Sequence, residues 1–458
     1  MKRLTILIAS LIAFGYSALA QSELTLPFMA DVFQSTFVNP AIKPEHKVSV
    51  GFSGFAKGVN NGLKLEEFVT FPTPNSTVVN KKSLLNSLKD GNMLYADGGL
   101  DFHVRFKLQN AFYWFAMREQ ASGRLLYPQA LLRLPFEGTK SYIGQSVDMS
   151  DLNARAMHYT EYMLGMSIEL GDWMIGGGLS LLKGIACAEF DPTTLTLQVE
   201  EDSWANTVEA DALVRCSGLP AHHDNPAKLG FDDVNTKVQY LKRSLWSGNT
   251  GFGLRLGVTY KLDDNLKFGF SAYDLGFINW KQDLSYKLHG KLDLKPVDAL
   301  VELIDADRKF SFDSIKNEIK DAFKFDTVVG GGEKFRTWLD PKFTLSATYK
   351  LARRTSVGML LGATVNKKFY PTVTLGVSQG FGRFFFATAN ISYAHGTLKN
   401  FGAGLVVKPG PVQIFVAVDN YYPFLSNTAL LSFRNTSVRA GLNFVFGRAS
   451  EPDGLPLR

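Results

Sequence analysis

Chemistry in this chain of 458 residues would have to come from a few places. Two of its seven histidines adjoin a carboxylate in His222-His223-Asp224. Neighbouring histidines can offer ring nitrogens to a metal, but a zinc site needs further ligands at a recognisable spacing. None follows, so this reads as a solvated loop. No HExxH, GxSxG or Walker-type pattern occurs, so no zinc-protease helix, nucleophile elbow or phosphate loop is written here. Ser346, Ser437 and Asn443 share the polar side of their segments, but no histidine is paired with them to act as a base. Gly176-Gly177-Gly178 falls inside an alternating stretch, where glycine relieves crowding or permits a bend. Gly330-Gly331-Gly332 reads as a loop hinge. The expectation is no enzyme, no metal and no cofactor.

The elements that would position these residues begin with an export signal. Lys2 and Arg3 precede an apolar run from Leu4 to Phe14, and Ala18-Leu19-Ala20 gives the small-residue cleavage pattern. Residues 1–20 are therefore expected to be a signal peptide, with no cysteine following to take a lipid. The net charge of +6 is spread along the chain, unlike the clustered cations of a nucleic-acid binder, so nucleic acid is not expected as a partner. After residue 20 no apolar run reaches the length of a spanning helix. Yet 36 Phe, 16 Tyr and 41 Gly stand against 2 Cys. An exported chain without a disulfide framework, rich in aromatics and glycine, fits a sheet with lipid on one face and water on the other.

Strand parity supports this. Phe252, Leu254, Leu256, Val258, Tyr260 and Leu262 alternate with Gly251, Gly253, Arg255, Gly257, Thr259 and Lys261. Phe343, Leu345, Ala347, Tyr349 and Leu351 alternate with Thr344, Ser346, Thr348 and Lys350. The pattern recurs at 385–393 and at 437–446, where Arg439 and Asn443 share the polar side and Phe444 and Phe446 end the apolar one. Period-two alternation over about ten residues is the mark of a strand crossing a membrane at a tilt. A soluble sandwich also alternates, but its strands are shorter and one core rarely organises a chain this long.

Tight turns are expected at 263–265, 352–354, 381–383 and 409–411, with other connections at 281–341, 366–370, 395–398 and 421–435. Short turns at every second connection match the periplasmic side of an outer-membrane barrel. Nine strands are counted from about 250 to 446 and five before them, near 47–56, 97–107, 110–121, 155–170 and 173–190. The expected fold is all-β: a transmembrane antiparallel barrel of about 14 strands. Segments 192–202 and 205–216 either extend a hairpin above the membrane or raise the count to 16. Long connections at 57–96, 122–154, 191–249 and 281–341 would be external. Two carry helix signals: Leu84, Leu85 and Leu88 before Gly91, and Phe312, Ile315, Ile319, Ala322 and Phe323 after Ser311 or Asp313. These helices are expected to pack on a loop or the rim; the alternative is a lid over the lumen. Cys187 and Cys216 fall in one external excursion, and an oxidising envelope favours a bridge between them.

Ahead of the first strand lies Gln34-Ser35-Thr36-Phe37-Val38-Asn39-Pro40-Ala41. Together with LSLLKGIA (179–186), GFGLRLGVTYKL (251–262), FSAYDLGFINWK (270–281), GPVQIFVAVDN (410–420) and SVRAGLNFVFG (437–447), it resembles a family of Bacteroidota outer-membrane barrels known only as a domain of unknown function. It is also similar to the FadL-type transporter superfamily, PorV-like barrels included. The resemblance implies a fourteen-strand barrel with an N-terminal plug, here residues 21–45, whose hatch would be Asn39, Pro40 and Ala41. Phe28, Met29, Val32, Phe33, Phe37 and Val38 are indeed too apolar for an exposed tail. The barrel proper would be 46–447, and 448–458 a periplasmic tail. Arg255, Lys261, Thr344, Ser346, Arg439 and Asn443 are the expected lumen-facing polar residues. Phe444 and Phe446 are expected to form the terminal strand signal. The functional expectation is a channel for a small apolar solute in the cell outer membrane, in contact with its lipid. The alternative is a non-conducting structural barrel, binding a protein partner through its external loops.

Overall fold

A strand with one apolar and one polar side can stand in lipid only if no backbone edge is left unpaired, and closure of the sheet achieves this. The structure, a computed structural model, closes. It describes residues 23–449 except 30, 61–68, 74–75, 89–91, 140–141, 202–205, 219–220, 223–224, 230–246, 282–283, 295–322, 330–333, 367, 395–396 and 422–434. The expected signal peptide, Gly91, His223, Asp224, Gly330-Gly331-Gly332, residues 312–322 of the expected helix and most of the tail lie outside the described residues; Phe323, expected to end that helical face, instead opens the strand Phe323–Val329.

Fourteen antiparallel strands form the wall: β1 His46–Asn60, β2 Asn92–Leu108, β3 Ala111–Tyr127, β4 Asn153–Leu170, β5 Trp173–Val199, β6 Asn249–Lys261, β7 Leu266–Lys281, β8 Lys342–Ala352, β9 Thr355–Asn366, β10 Lys368–Phe381, β11 Phe385–Ala394, β12 Thr397–Val407, β13 Val412–Val418 and β14 Asn435–Arg448. Each pairs with the next, and β1 closes on β14 with Val48 opposite Phe446. The count is fourteen, because 192–202 and 205–216 form the upper half of β5 and its hairpin partner Asn206–Ser217.

Polarity is inverted relative to a water-soluble protein. Outward residues such as Leu164 and Leu179 are 68% and 69% exposed, whereas Arg255, Arg439 and Asn443 are at most 2% exposed. Phe444 and Phe446 point outward with the apolar belt. One end of the barrel carries the start of β1, the end of β14 and the tight turns; we call the other the far end. There β5 continues into a sheet through Asn206–Ser217, Leu284–Leu294 and Phe323–Val329. Two far-end connections are tighter than the sequence suggests: Asn366 pairs directly with Lys368, and Ala394 with Thr397.

The first long connection holds α1, Lys81–Ser87, capped by Asn80, whose side chain accepts from Ser83 N–H at 3.1 Å. It stops at Ser87, short of Gly91. A second helix, α2 Gln129–Glu137, was not foreseen. Arg133 of α2 donates to the Leu85 carbonyl of α1 at 3.1 Å, so the helices pack on each other. No described helix is long and apolar enough to cross a membrane, a fact that leaves strand-crossing untouched.

Candidate functional site in the barrel lumen

Residues 23–29 and 31–45 lie inside the barrel. Apolar side chains at Leu24, Leu26, Met29, Val32, Phe33, Phe37, Val38 and Ala41 are all buried; Leu26, Phe33 and Phe37 sit in two short 3-10 turns, Leu26–Phe28 and Phe33–Phe37, and the others flank them. Such a short, non-strand segment leaves its peptide groups open, so the wall must supply partners. Asp419 accepts from the backbone N–H of Leu24 and Thr25 at 2.9 and 2.7 Å. Asn390 donates to Thr25 Oγ1, and Ser378 to the Phe28 carbonyl, both at 2.9 Å. Gln34 and Asn443 exchange amide hydrogen bonds at 3.1 Å in both directions. Arg255 donates to the Phe37 carbonyl at 2.5 Å. Asn39 folds back to accept from Ala41 N–H at 2.8 Å, which makes the Asn-Pro-Ala stretch a turn of fixed shape.

Glycine on the wall receives this segment. A Cβ built on Gly176 would stand 2.4 Å from the Pro40 carbonyl oxygen, and one on Gly257 2.2 Å from Asn39 Oδ1. Further round, Gly358 and Gly376 face the Phe28 ring, Gly402 faces Thr25 and Gly404 faces Met29. The Gly176 position therefore answers to a neighbour remote in sequence rather than to local bending.

At mid-height Phe37 is surrounded by guanidinium groups: Arg118 at 4.3 Å from its centroid, Arg255 and Arg439 at 5.8 Å. Carboxylates balance them. Glu161 pairs with Arg118 at 3.4 Å and Arg255 at 3.1 Å; Asp274 pairs with Arg255 at 3.0 Å and Lys342 at 2.6 Å; Asp101 pairs with Arg439 at 2.5 Å. Glu23 of the segment adds a bond to Arg439 at 2.6 Å. Buried pairs of this kind contribute little net stability, but removing one partner strands a charge at a cost of about 3–5 kcal/mol. The network therefore fixes position more than it adds stability. A cavity of about 50 Å³ remains between Phe37, Lys57, Asp97 and Asp274. Nearer the terminus end a larger one, about 440 Å³, is lined by Phe28, Val38, Lys261, Ser346 and Phe386 among others.

Of the residues singled out in the sequence, Arg255, Arg439, Asn443 and the Asn39-Pro40-Ala41 turn meet at this contact. Thr344 faces inward but bonds Ser271 at 2.6 Å. Ser346 and Lys261 line the larger cavity, Lys261 paired with Asp264 at 2.7 Å. Glu161, Asp274, Asp101, Arg118 and Asp419 were missed; charges inside otherwise apolar strands were their only signal. A serine–histidine pair was missed too: Ser49 and His103 lie 2.9 Å apart, buried, with Phe33 stacked 3.7 Å over the imidazole. That cover leaves no approach for a substrate. His222 sits in the short strand Ala221–His222, and among the described residues no group of His, Cys, Asp and Glu is arranged to hold a metal. Cys187 and Cys216 are thiols, with no bridge between them. Cys187 stands opposite Ser217 and Cys216 opposite Ala188, so a one-residue offset turns them to opposite faces of the hairpin.

A closed antiparallel barrel with an apolar outer belt and a charged lumen occupied by its own N-terminal segment is an outer-membrane-type β-barrel. The Family of unknown function (DUF5723) matches residues 40–419, and the chain belongs to that family. No curated protein matches it. Among solved structures it is similar to the P. putida toluene transporter TodX (10% identity, TM-score 0.42, covering 90% of this chain and 94% of that one). It is similar also to the Ralstonia pickettii toluene transporter TbuX (7%, 0.42, 92% and 93%) and to a Pseudomonas aeruginosa FadL homologue (9%, 0.38, 90% and 94%). Likeness of this degree carries no statement about cargo.

Proposed function

We propose that the protein is a FadL-like channel of the cell outer membrane, plugged by residues 21–45, and that its cargo is a small apolar solute. One observation carries the reading: where the segment lies closest to the wall, the wall is repeatedly glycine, as at Gly176, Gly257, Gly376 and Gly404. A barrel built as a solid support would meet that space with side chains. Here, withdrawal of the segment leaves a lane bordered by backbone. The same withdrawal uncovers Tyr273, Phe386, Val406 and Phe415, now packed against Leu26, Met29, Val32 and Val38. A small apolar solute could take the place of those side chains, each worth about 1.5–3 kcal/mol when fully buried.

The test compares liposomes bearing the full-length barrel with liposomes bearing a form that lacks residues 21–41. Flux of toluene and of a sugar of similar size is measured. Deletion should raise toluene flux more than sugar flux. Unchanged flux through an intact barrel would remove the plug, and an equal rise for both probes would remove the apolar cargo.

A second reading, a non-conducting barrel that binds a protein partner, draws on the far-end sheet. Among the described residues, Phe323–Val329 pairs on one side only and offers an edge to an added strand. Absence of flux from both forms would favour it.

A further inference from the structure

The outer wall at the far end, external by the barrel plan, carries a second constellation away from the lumen. Where β6, β7 and the short strand Lys334–Trp338 run side by side, register aligns three outward rows. The lowest is aromatic: Phe252, Phe277 and Trp338, with centroid spacings of 6.5 and 5.4 Å. Two residues further out stand Thr250, Asn279 and Arg336, with Lys183 of β5 opposite Thr250. Two residues beyond, Lys281 faces Lys334. Successive rows are about 7 Å apart at the rise of a strand.

The Arg336 guanidinium lies 4.2 Å from the Phe277 centroid and 5.8 Å from that of Trp338, and its Nε donates to Asn279 Oδ1 at 2.8 Å. Stacking and one hydrogen bond thus hold its plane, while its two terminal amino groups have no partner among the described residues. Lys281 and Lys334 are exposed, and neither has a carboxylate partner among the described residues. The closest acid placed by register in the Lys183 row is Glu119, two strands away across Thr160 and engaged with His158 at 2.9 Å. A cleft of about 410 Å³ opens between these cations, floored by Gly248, Trp280 and Phe335.

Aromatic rows settle at the boundary between hydrocarbon and headgroups, so cations just beyond such a row stand at headgroup depth. Like charges gathered with no counter-charge among the described residues repel one another, and an anion at that depth relieves the strain. A stacked guanidinium with both amino groups open matches the geometry of a phosphate. We propose that this cleft binds the phosphate of a lipid headgroup in the outer leaflet. The assignment is independent of whether the barrel conducts.

The experiment uses the purified full-length barrel in nanodiscs and a diphosphorylated glycolipid of the lipid A type, with retention read by native mass spectrometry and Trp fluorescence. Replacing Lys281, Lys334 and Arg336 together by Gln should weaken retention about a hundredfold, at about fivefold per cation near an anionic surface. The dephosphorylated glycolipid should bind wild type as weakly as the phosphorylated one binds the variant. Arg336→Lys, which keeps the charge but loses the fork, should fall between. Heat-modifiable gel mobility verifies that each variant is a folded barrel. Equal retention by wild type and the triple variant, or of the two lipids by wild type, overturns the proposal. Displacement of the lipid by millimolar inorganic phosphate would overturn it as well, by making the cleft a site for soluble anions.

Discussion

Substituting Gly176 by Ala adds one methyl group to the inner wall, and the seat of the Asn-Pro-Ala turn should register it. The added carbon would stand 2.4 Å from the Pro40 carbonyl oxygen and 2.9 Å from the Ala41 nitrogen. Carbon–oxygen contacts below about 3.0 Å are not sustained, so the turn must retreat by at least about 0.6 Å against its backbone. It has little room to do so, because Gly257 on the neighbouring strand already touches Asn39 and Pro40. Overpacking of this kind costs about 1–3 kcal/mol. At about 1.4 kcal/mol per tenfold, the undocked fraction of the segment rises about 5- to 150-fold. Gly177→Ala is the control: it lies on the same strand with its nearest contact at 3.4 Å, an ordinary distance, so it should change nothing. The assay is chymotryptic cleavage after Phe33 or Phe37, both at most 3% exposed when docked. Cleavage that is slow relative to reclosing follows the open population. Equal cleavage of the two alanine variants, both running as folded barrels, would refute the glycine-seat argument and with it the main support for the channel.

Two further outcomes are expected. In protein purified without reductant, Cys216 should react with a maleimide in the folded barrel, whereas Cys187, 1% exposed, should react only after denaturation; a thiol count of zero before reduction would show that the two are bridged after all. Truncation from Ser450 onward should leave barrel yield unchanged, since Ala449 still donates to the Glu45 carbonyl at 2.8 Å, whereas Phe446→Ala should lower it by stripping the apolar edge of β14; equal yields would contradict the terminal-strand role.

How much the sequence revealed follows from how far each constraint reaches. Alternation is local: a peptide in extended form must put neighbours on opposite faces, so Phe252 against Gly253 and Arg439 against Ala440 are legible without any knowledge of their partners. Length and parity together then fix the orientation of the strands and that their count is even, since an even number of crossings follows once both ends lie on one side; fourteen rather than sixteen is decided only when 192–202 and 205–216 pair with each other above the wall. The alternation breaks where only a partner strand can break it. In β7 the inward residues are Gly269, Ser271 and Tyr273, and then Ile278 and Trp280, because Leu254 pairs with Leu275 while Leu256 pairs with Ala272. The bulge holds Asp274 at φ +55° and brings its carboxylate onto Arg255, a junction no periodicity announces.

The cysteines show the same limit: shared membership of an excursion suggested a bridge, and a one-residue register offset decided against it. What the sequence by itself determined is the class of wall, its polarity and the apolar segment that precedes it, since each is written in neighbours a few residues apart. What only the tertiary structure decided is what fills the barrel. Glu161 meets Arg255 across 94 positions, Gln34 meets Asn443 across 409, and Gly176 is glycine because Pro40 comes to rest on it. Such contacts exist only after the sheet has closed, and closure is a property of the whole chain rather than of any stretch within it.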